Sequence, residues 1–199
     1  MKKLVLASLL FAGIFDNSYG TTLKEAYYAG ELDEINDDAA AKKLIDDGVI
    51  NIEHSHKDGR VASHDAAQIN RAEFLRVLKN NFGYTLGERT LFNETPLHLA
   101  AYEGNPEAVD ELISLGADIN VKTKFPVSNE KVLNWDNKTP LEYAQIRQLR
   151  YYHDKEAAEN ANLDAKVQQL SEKIKKFDKV IESLQNAQSE IGYKTYSNS

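Results

Sequence analysis

Cysteine is absent from the 199-residue chain, which excludes disulfides, thiolate nucleophiles and cysteine-based zinc sites together. Proline and glycine are sparse, and from Leu141 to Ile191 there is neither, so helix is expected to dominate the C-terminal part. Positive charge is in short supply: 24 Lys and Arg against 31 Asp and Glu leave a net charge of −7 at pH 7. Non-specific nucleic-acid binding needs clustered cations that displace phosphate counterions, so this balance argues against it. No glycine-rich phosphate loop and no nucleophile elbow is present. The residues therefore give no positive reason to expect an enzyme or a bound cofactor. Acidity does not imply disorder, because 42% hydrophobic residues beside 28% charged ones can bury enough apolar surface for one domain.

Long apolar runs are scarce too. The clearest is Leu4 to Phe15, LVLASLLFAGIF, preceded by Met1, Lys2 and Lys3 and followed by Asp16, Asn17 and Ser18. Ser18 and Gly20 place small residues at the −3 and −1 positions of a cleavage before Thr21. This is the layout of a secretory signal peptide, and the run is too short to span a hydrocarbon core of about 30 Å as a helix. Residues 1–20 are expected to be a signal peptide, with retention as an N-terminal anchor or a buried helix as the competing reading. The MKK start looks bacterial, which puts the mature chain in the periplasm or outside the cell without stable membrane insertion.

What the chain does contain is a patterned stretch, Thr95 to Asn120, TPLHLAAYEGNPEAVDELISLGADIN. Thr95 suits an N-cap and Pro96 the first turn of a helix, where a missing N–H costs nothing. Leu97, Ala100 and Ala101 share one face, and Gly104 ends the helix. Pro106 opens a second helix with Ala108, Val109, Leu112 and Ile113 at spacings of three and four. Gly116 is placed to cap it before the chain leaves in an extended finger.

This stretch resembles an ankyrin repeat at nearly every position. A lone unit of that kind has no neighbours to cover its faces, so others are expected. Asp58 to Leu78 is a degenerate copy: His64, Ala66, Ala67, Glu73, Phe74, Leu75 and Leu78 keep the places of His98, Ala100, Ala101, Glu107, Ala108, Val109 and Leu112. Leu23, Ala26 and Gly30, with Leu44 to Ile52, outline an earlier unit that takes up extra residues around Asn36 to Ala40. Asp136 to Ala144, DNKTPLEYA, starts a fourth unit whose second helix should begin near Tyr151. Its displacement reflects an insertion over Thr123 to Leu133, which suits an elongated loop on the finger side.

The expected fold is thus all-α: an ankyrin-repeat solenoid of about four helix-turn-helix units with a long C-terminal helix. The divisions are 1–20 signal peptide, 21–57 first repeat, 58–91 second, 92–133 third with its inserted loop, 134–159 fourth, 160–192 C-terminal helix and 193–199 disordered tail. In that helix Leu163, Val167, Leu170, Ile174, Phe177, Ile181 and Leu184 alternate at spacings of four and three. Two readings stand. The seam pairs two copies as a parallel coiled coil over residues 163–191, or it folds back at Asn160, Asn162 and Asp164 to cap the stack.

His54 and His56 form an H-x-H pair near His64, a pattern that can bind a metal. The resemblance points elsewhere: His64 and His98 fall where an ankyrin histidine bonds backbone and neighbouring loops, and His54 and His56 fall on an exposed finger. No metal is expected. Paired Asp37 and Asp38, and Asp46 and Asp47, read as a solvated acidic face. The resemblance also implies a protein partner held by finger tips and first-helix faces. The corresponding residues are Asp58, Arg60, Gln68 and Ile69, then Phe92, Glu94, Tyr102 and Glu103, then Trp135, Lys138, Ile146 and Arg147. The expected function is a non-enzymatic exported scaffold with an acidic face for a protein partner, a host protein or a secreted toxin. The alternative is a structural oligomer displaying its repeats through the coiled coil.

Overall fold

A computed structural model of the chain describes residues 22–28, 30, 32, 35, 37–125 and 135–197, the side chains of 192–197 excepted. The expected signal peptide and most of the inserted loop lie outside these residues. Eight helices are present among the described residues: α1 (Leu23–Tyr28), α2 (Asp38–Asp46), α3 (Ala62–Gln68), α4 (Ala72–Phe82), α5 (Pro96–Glu103), α6 (Pro106–Ser114), α7 (Pro140–Asn160) and α8 (Asp164–Ser197). The first helices α1, α3, α5 and α7 pack side by side in one row, and α2, α4, α6 and α8 form the row behind it. Fully buried Ala66, Ala67, Ala100, Ala101 and Ala144 let neighbouring first helices approach closely. Leu75, Leu78, Val109, Leu112, Phe177, Val180 and Leu184 fill the space behind them.

The turns from α3 to α4, α5 to α6 and α7 to α8 are each made around one residue in the left-handed region. Gly104 (φ 72) closes α5, with its N–H bonded to Ala101 O and that of Asn105 to Ala100 O, a Schellman pattern. Asn70 (φ 58) does the same for α3, where no glycine is available. In the fourth unit the residues in register with Gly104 to Pro106 are Gln148, Leu149 and Arg150. None of them favours a left-handed turn or breaks a helix, so α7 runs on to Asn160. The expected second helix near Tyr151 is therefore corrected: the turn comes at Asn162 (φ 54), whose N–H bonds Glu159 O while that of Leu163 bonds Ala158 O. The helix that follows, α8, lies along both α7 and α6.

The coiled-coil seam is accordingly covered by the chain's own helices. Leu170, Ile174, Phe177 and Leu184 are buried, and Val180, outside the expected seam, is fully so. Leu163, assigned to the same seam, is 53% exposed because it sits in the turn before α8. Phe177 lies over Gly104 so closely that a Cβ there would stand 2.8 Å from its ring. The expected unstructured tail is also revised, since α8 continues to Ser197; after Gly192 no residue interrupts its backbone bonds. At the other end, Asp37 caps α2 by accepting from Ala40 N at 2.8 Å. Asp38 to Ala40 are thus its first turn, where the sequence suggested inserted loop.

Histidines tie the units together. His64 Nδ1 accepts from Val61 N and its Nε2 donates to Glu94 O at 3.2 Å. His98 repeats this with Thr95 N and Lys138 O, both at 3.1 Å. One ring nitrogen finishes its own helix cap, and the other pins the entry to the next unit's first helix. In the fourth unit Glu142 keeps only the capping half, accepting from Thr139 N at 2.8 Å. Glu25 does likewise with Thr22 N in the first. The fingers are joined by backbone bonds, Leu91 N to Asp58 O and Lys124 N to Phe92 O, each 2.8 Å.

Candidate protein-interaction face

The expected contact residues divide into three groups. Asp58, Arg60, Gln68 and Glu103 form one polar row across the first helices and fingers. Arg60 Nε donates to Asp58 Oδ2 at 2.8 Å and its Nη1 to Gln68 Oε1 at 3.0 Å, while Gln68 Nε2 donates to Glu103 Oε1 at 3.0 Å. Lys24 joins at Gln68 Oε1. Partial burial pushes the Asp58 carboxyl up, but the Arg60 backbone N–H and guanidinium outweigh it and hold it below its ordinary value. These side chains are pre-ordered and open to solvent along one edge.

A second group converges on the fourth unit. Trp135 stands edge-on to Tyr102 (centroids 5.2 Å apart) and to Tyr143 (4.7 Å). Arg147 lies over the Tyr102 ring at 4.2 Å and the Tyr151 ring at 5.3 Å. Ile146 and Lys138 flank this cluster, both half-buried, with Lys138 3.6 Å from Glu142. Tyr143 and Tyr151 were not anticipated. Tyr143 replaces Leu99 of the third unit, an aromatic in a core position, and Tyr151 falls four residues after Arg147 on the part of α7 that the sequence suggested would break.

The third group is committed to packing. Ile69 is 8% exposed and belongs to the core, so its assignment to the surface is corrected: the αL turn at Asn70 folds it inward. Phe92 stacks on Phe125 at 4.7 Å, bridging two fingers. Glu94 accepts from Tyr143 Oη at 2.9 Å. Burial pushes its carboxyl above the ordinary range, against the hydrogen bonds from Tyr143 and Thr90. His54 and His56 meet edge to face, and His56 Nε2 bonds the buried Asp65 at 2.9 Å. Among the described residues no three of His, Cys, Asp and Glu are placed to hold a metal. The paired aspartates separate into structural roles: Asp37 caps, Asp38 pairs with Arg76, and Asp46 and Asp47 pair with Lys42 and Lys43 one turn back.

Comparison with known proteins supports the architecture. The family model of ankyrin repeats matches residues 26–123 in three copies. Ankyrin repeat and SOCS box protein 2 of Rattus norvegicus is 28% identical over 121 residues, 58% of this chain and 19% of that protein. Its Homo sapiens counterpart is 31% identical over 88 residues, 44% of this chain and 14% of that protein. Protein phosphatase 1 regulatory subunit 27 of Mus musculus is 32% identical over 89 residues, 45% of this chain and 53% of that protein. The chain therefore spans less than a fifth of the first relative and about half of the last. The two-row helical stack is accordingly an all-α ankyrin-repeat solenoid, with the family match lying over residues 26–123.

Proposed function

We propose that the chain is a non-enzymatic scaffold that recognises one protein partner through its finger tips and first-helix face. The observation that carries this reading is the continuity of two groups on one face. The ordered row Asp58, Arg60, Gln68 and Glu103 leads into the half-exposed cluster of Tyr102, Trp135 and Arg147. Rigid aromatics supply much of the energy at protein interfaces, surrounded by polar contacts that set register. The sequence relatives fit such a role, one of them being named a regulatory subunit of a phosphatase. Export by residues 1–20 is part of the proposal, with a host protein or a secreted toxin as the partner.

Affinity capture from the native organism tests this. Trp135→Ala and Tyr102→Ala are each expected to weaken capture by roughly 2 kcal/mol, about 30-fold, with thermal unfolding used to confirm that both variants stay folded. Recovery of the same partner by both variants at unchanged affinity contradicts the assignment. The bait recovered in that experiment begins at Thr21 if residues 1–20 are removed, and at Met1 if they are not.

A further inference from the structure

Arg147 differs from Arg60, Arg71 and Arg76, each of which meets a carboxylate. Arg60 faces Asp58, Arg71 faces Glu73, and Arg76 bridges Asp38 and Glu111. Arg89 donates to Asn93 Oδ1 at 3.2 Å and has no carboxylate partner among the described residues. Arg147 has no carboxylate within ion-pair distance among the described residues, although the chain carries an excess of acid. Nor has Arg150, one turn further along the same helix and exposed.

Arg147 is nevertheless held in one place. Its guanidinium lies against Tyr102 and Tyr151, its Nε donates to Tyr102 O at 3.3 Å, and Nη2 donates to Tyr151 Oη at 3.3 Å. A guanidinium carries five N–H donors, and these bonds leave Nη1 and part of Nη2 uncommitted. Lys173, across the Tyr151 ring at 5.2 Å, adds a second positive charge. A stacked guanidinium is weakly hydrated and already ordered, so a carboxylate that meets it costs little desolvation and little side-chain entropy.

We propose that Arg147 is a carboxylate-docking site: it receives an aspartate or glutamate side chain of the protein partner, and an apolar neighbour in the partner lies against Trp135. The polarity reverses the expectation from net charge alone. Overall acidity suggests a basic partner, whereas the charges lying against the Tyr102 and Tyr151 rings are half-buried Arg147 and exposed Lys173, both positive, with the exposed acids Asp154, Glu156 and Glu159 further along α7, and complementarity at those rings selects acid. This site rests on the binding face proposed above and specifies the chemistry it reads.

The test pans a display library of short random peptides on the full chain and measures the leading peptides by fluorescence anisotropy. Retained peptides are expected to carry Asp or Glu beside a large apolar residue. Changing that acid to its amide should weaken binding to the wild-type chain by about tenfold or more, the worth of a charge-assisted hydrogen bond. Binding to Arg147→Gln should be weakened alike and lose its sensitivity to the amide change. Arg147→Lys keeps the charge without the planar stack and should fall between. The proposal is overturned if no peptide is retained, if retained peptides show no excess of acid, or if Arg147→Gln binds them as well as the wild type. Peptides that ignore Arg147→Gln but are lost on Gln68→Ala leave the wider face standing and remove only the Arg147 site. Peptides that ignore both, and also ignore Trp135→Ala, remove the two together.

Discussion

Replacing His98 by alanine is expected to destabilise the stack by on the order of 3 kcal/mol, read as a lower urea midpoint with an unchanged slope. The ring is fully buried. Its loss leaves Thr95 N without its partner in a region closed to water, where an unsatisfied group costs about 1–3 kcal/mol, and opens a cavity, while Lys138 O keeps its bonds from Thr123 N and Oγ1. It also uncouples the third unit from the entry to the fourth, and the edge-to-face contact with Tyr143, 5.1 Å away, goes with it. The same geometry sets an acid limit. Burial lowers the His98 pKa from 6.5 to about 4, and lowers that of His64 as well, because an imidazolium would lose hydration and could not accept at Nδ1. Both histidines are neutral in the folded chain and titrate near 6.5 when unfolded. The His98 contribution is therefore complete above pH 6.5 and is lost as pH falls from there through about 4, and His64 contributes in the same sense. For His98 it amounts to about 3 kcal/mol. Glu94, with its pKa raised, contributes in the opposite sense, present at low pH and lost as pH rises through its folded value. The His98→Ala variant should thus show a shallower loss of stability between pH 6.5 and 4 than the wild type. A variant as stable as the wild type, with the same pH profile, would falsify the bracing role.

Phe177→Ala is expected to cost about 3–5 kcal/mol, as for a large buried ring truncated in a packed core, whereas Leu163→Ala should change stability by less than about 0.5 kcal/mol. Both residues belong to the same seven-residue pattern, so sequence alone assigns them equal weight. Their surroundings differ: Phe177 fills the space over Gly104 and meets Tyr151 at 5.5 Å, while Leu163 is half in solvent. The Phe177 cavity would loosen α8 from α6 and α7, and amide exchange should rise along α8 and the far end of α7 while α3 and α4 stay protected. Equal losses from the two variants, together with a concentration-dependent midpoint, would instead indicate a seam shared between copies.

The repeat framework was legible because ankyrin units rely on residues with a single backbone purpose. Thr95, Pro96, Gly104 and Gly116 announce their turns in the sequence, and His64 and His98 mark the bridges. Legibility failed where one residue replaced that chemistry. Asn70 and Asn162 make the left-handed turns without glycine, so the sequence pattern places Ile69 outward and splits the fourth unit near Tyr151. Of the candidate face, Tyr102, Trp135 and Arg147 were singled out separately, but their convergence depends on the continued α7, which also brings in Tyr151. Phe92 and Glu94 are half-buried, and each has a packing partner that the repeat pattern does not report. Their partners, Phe125 and Tyr143, lie 33 and 49 residues away in the chain, a separation over which helical periodicity reports no contact. The seam of α8 showed an apolar face and carried no information about which surface covers it.

The central claim is that a protein partner is held on the finger and first-helix face, and site-specific photo-crosslinking tests it most directly. A benzophenone amino acid is placed at exposed Glu103 on α5 in one bait, and at exposed Asn80 on the opposite row, in α4, in another. Both baits are irradiated in the native organism. The account predicts a covalent adduct with one partner from position 103 and none from position 80. An adduct from position 80 alone, or from neither, would contradict it.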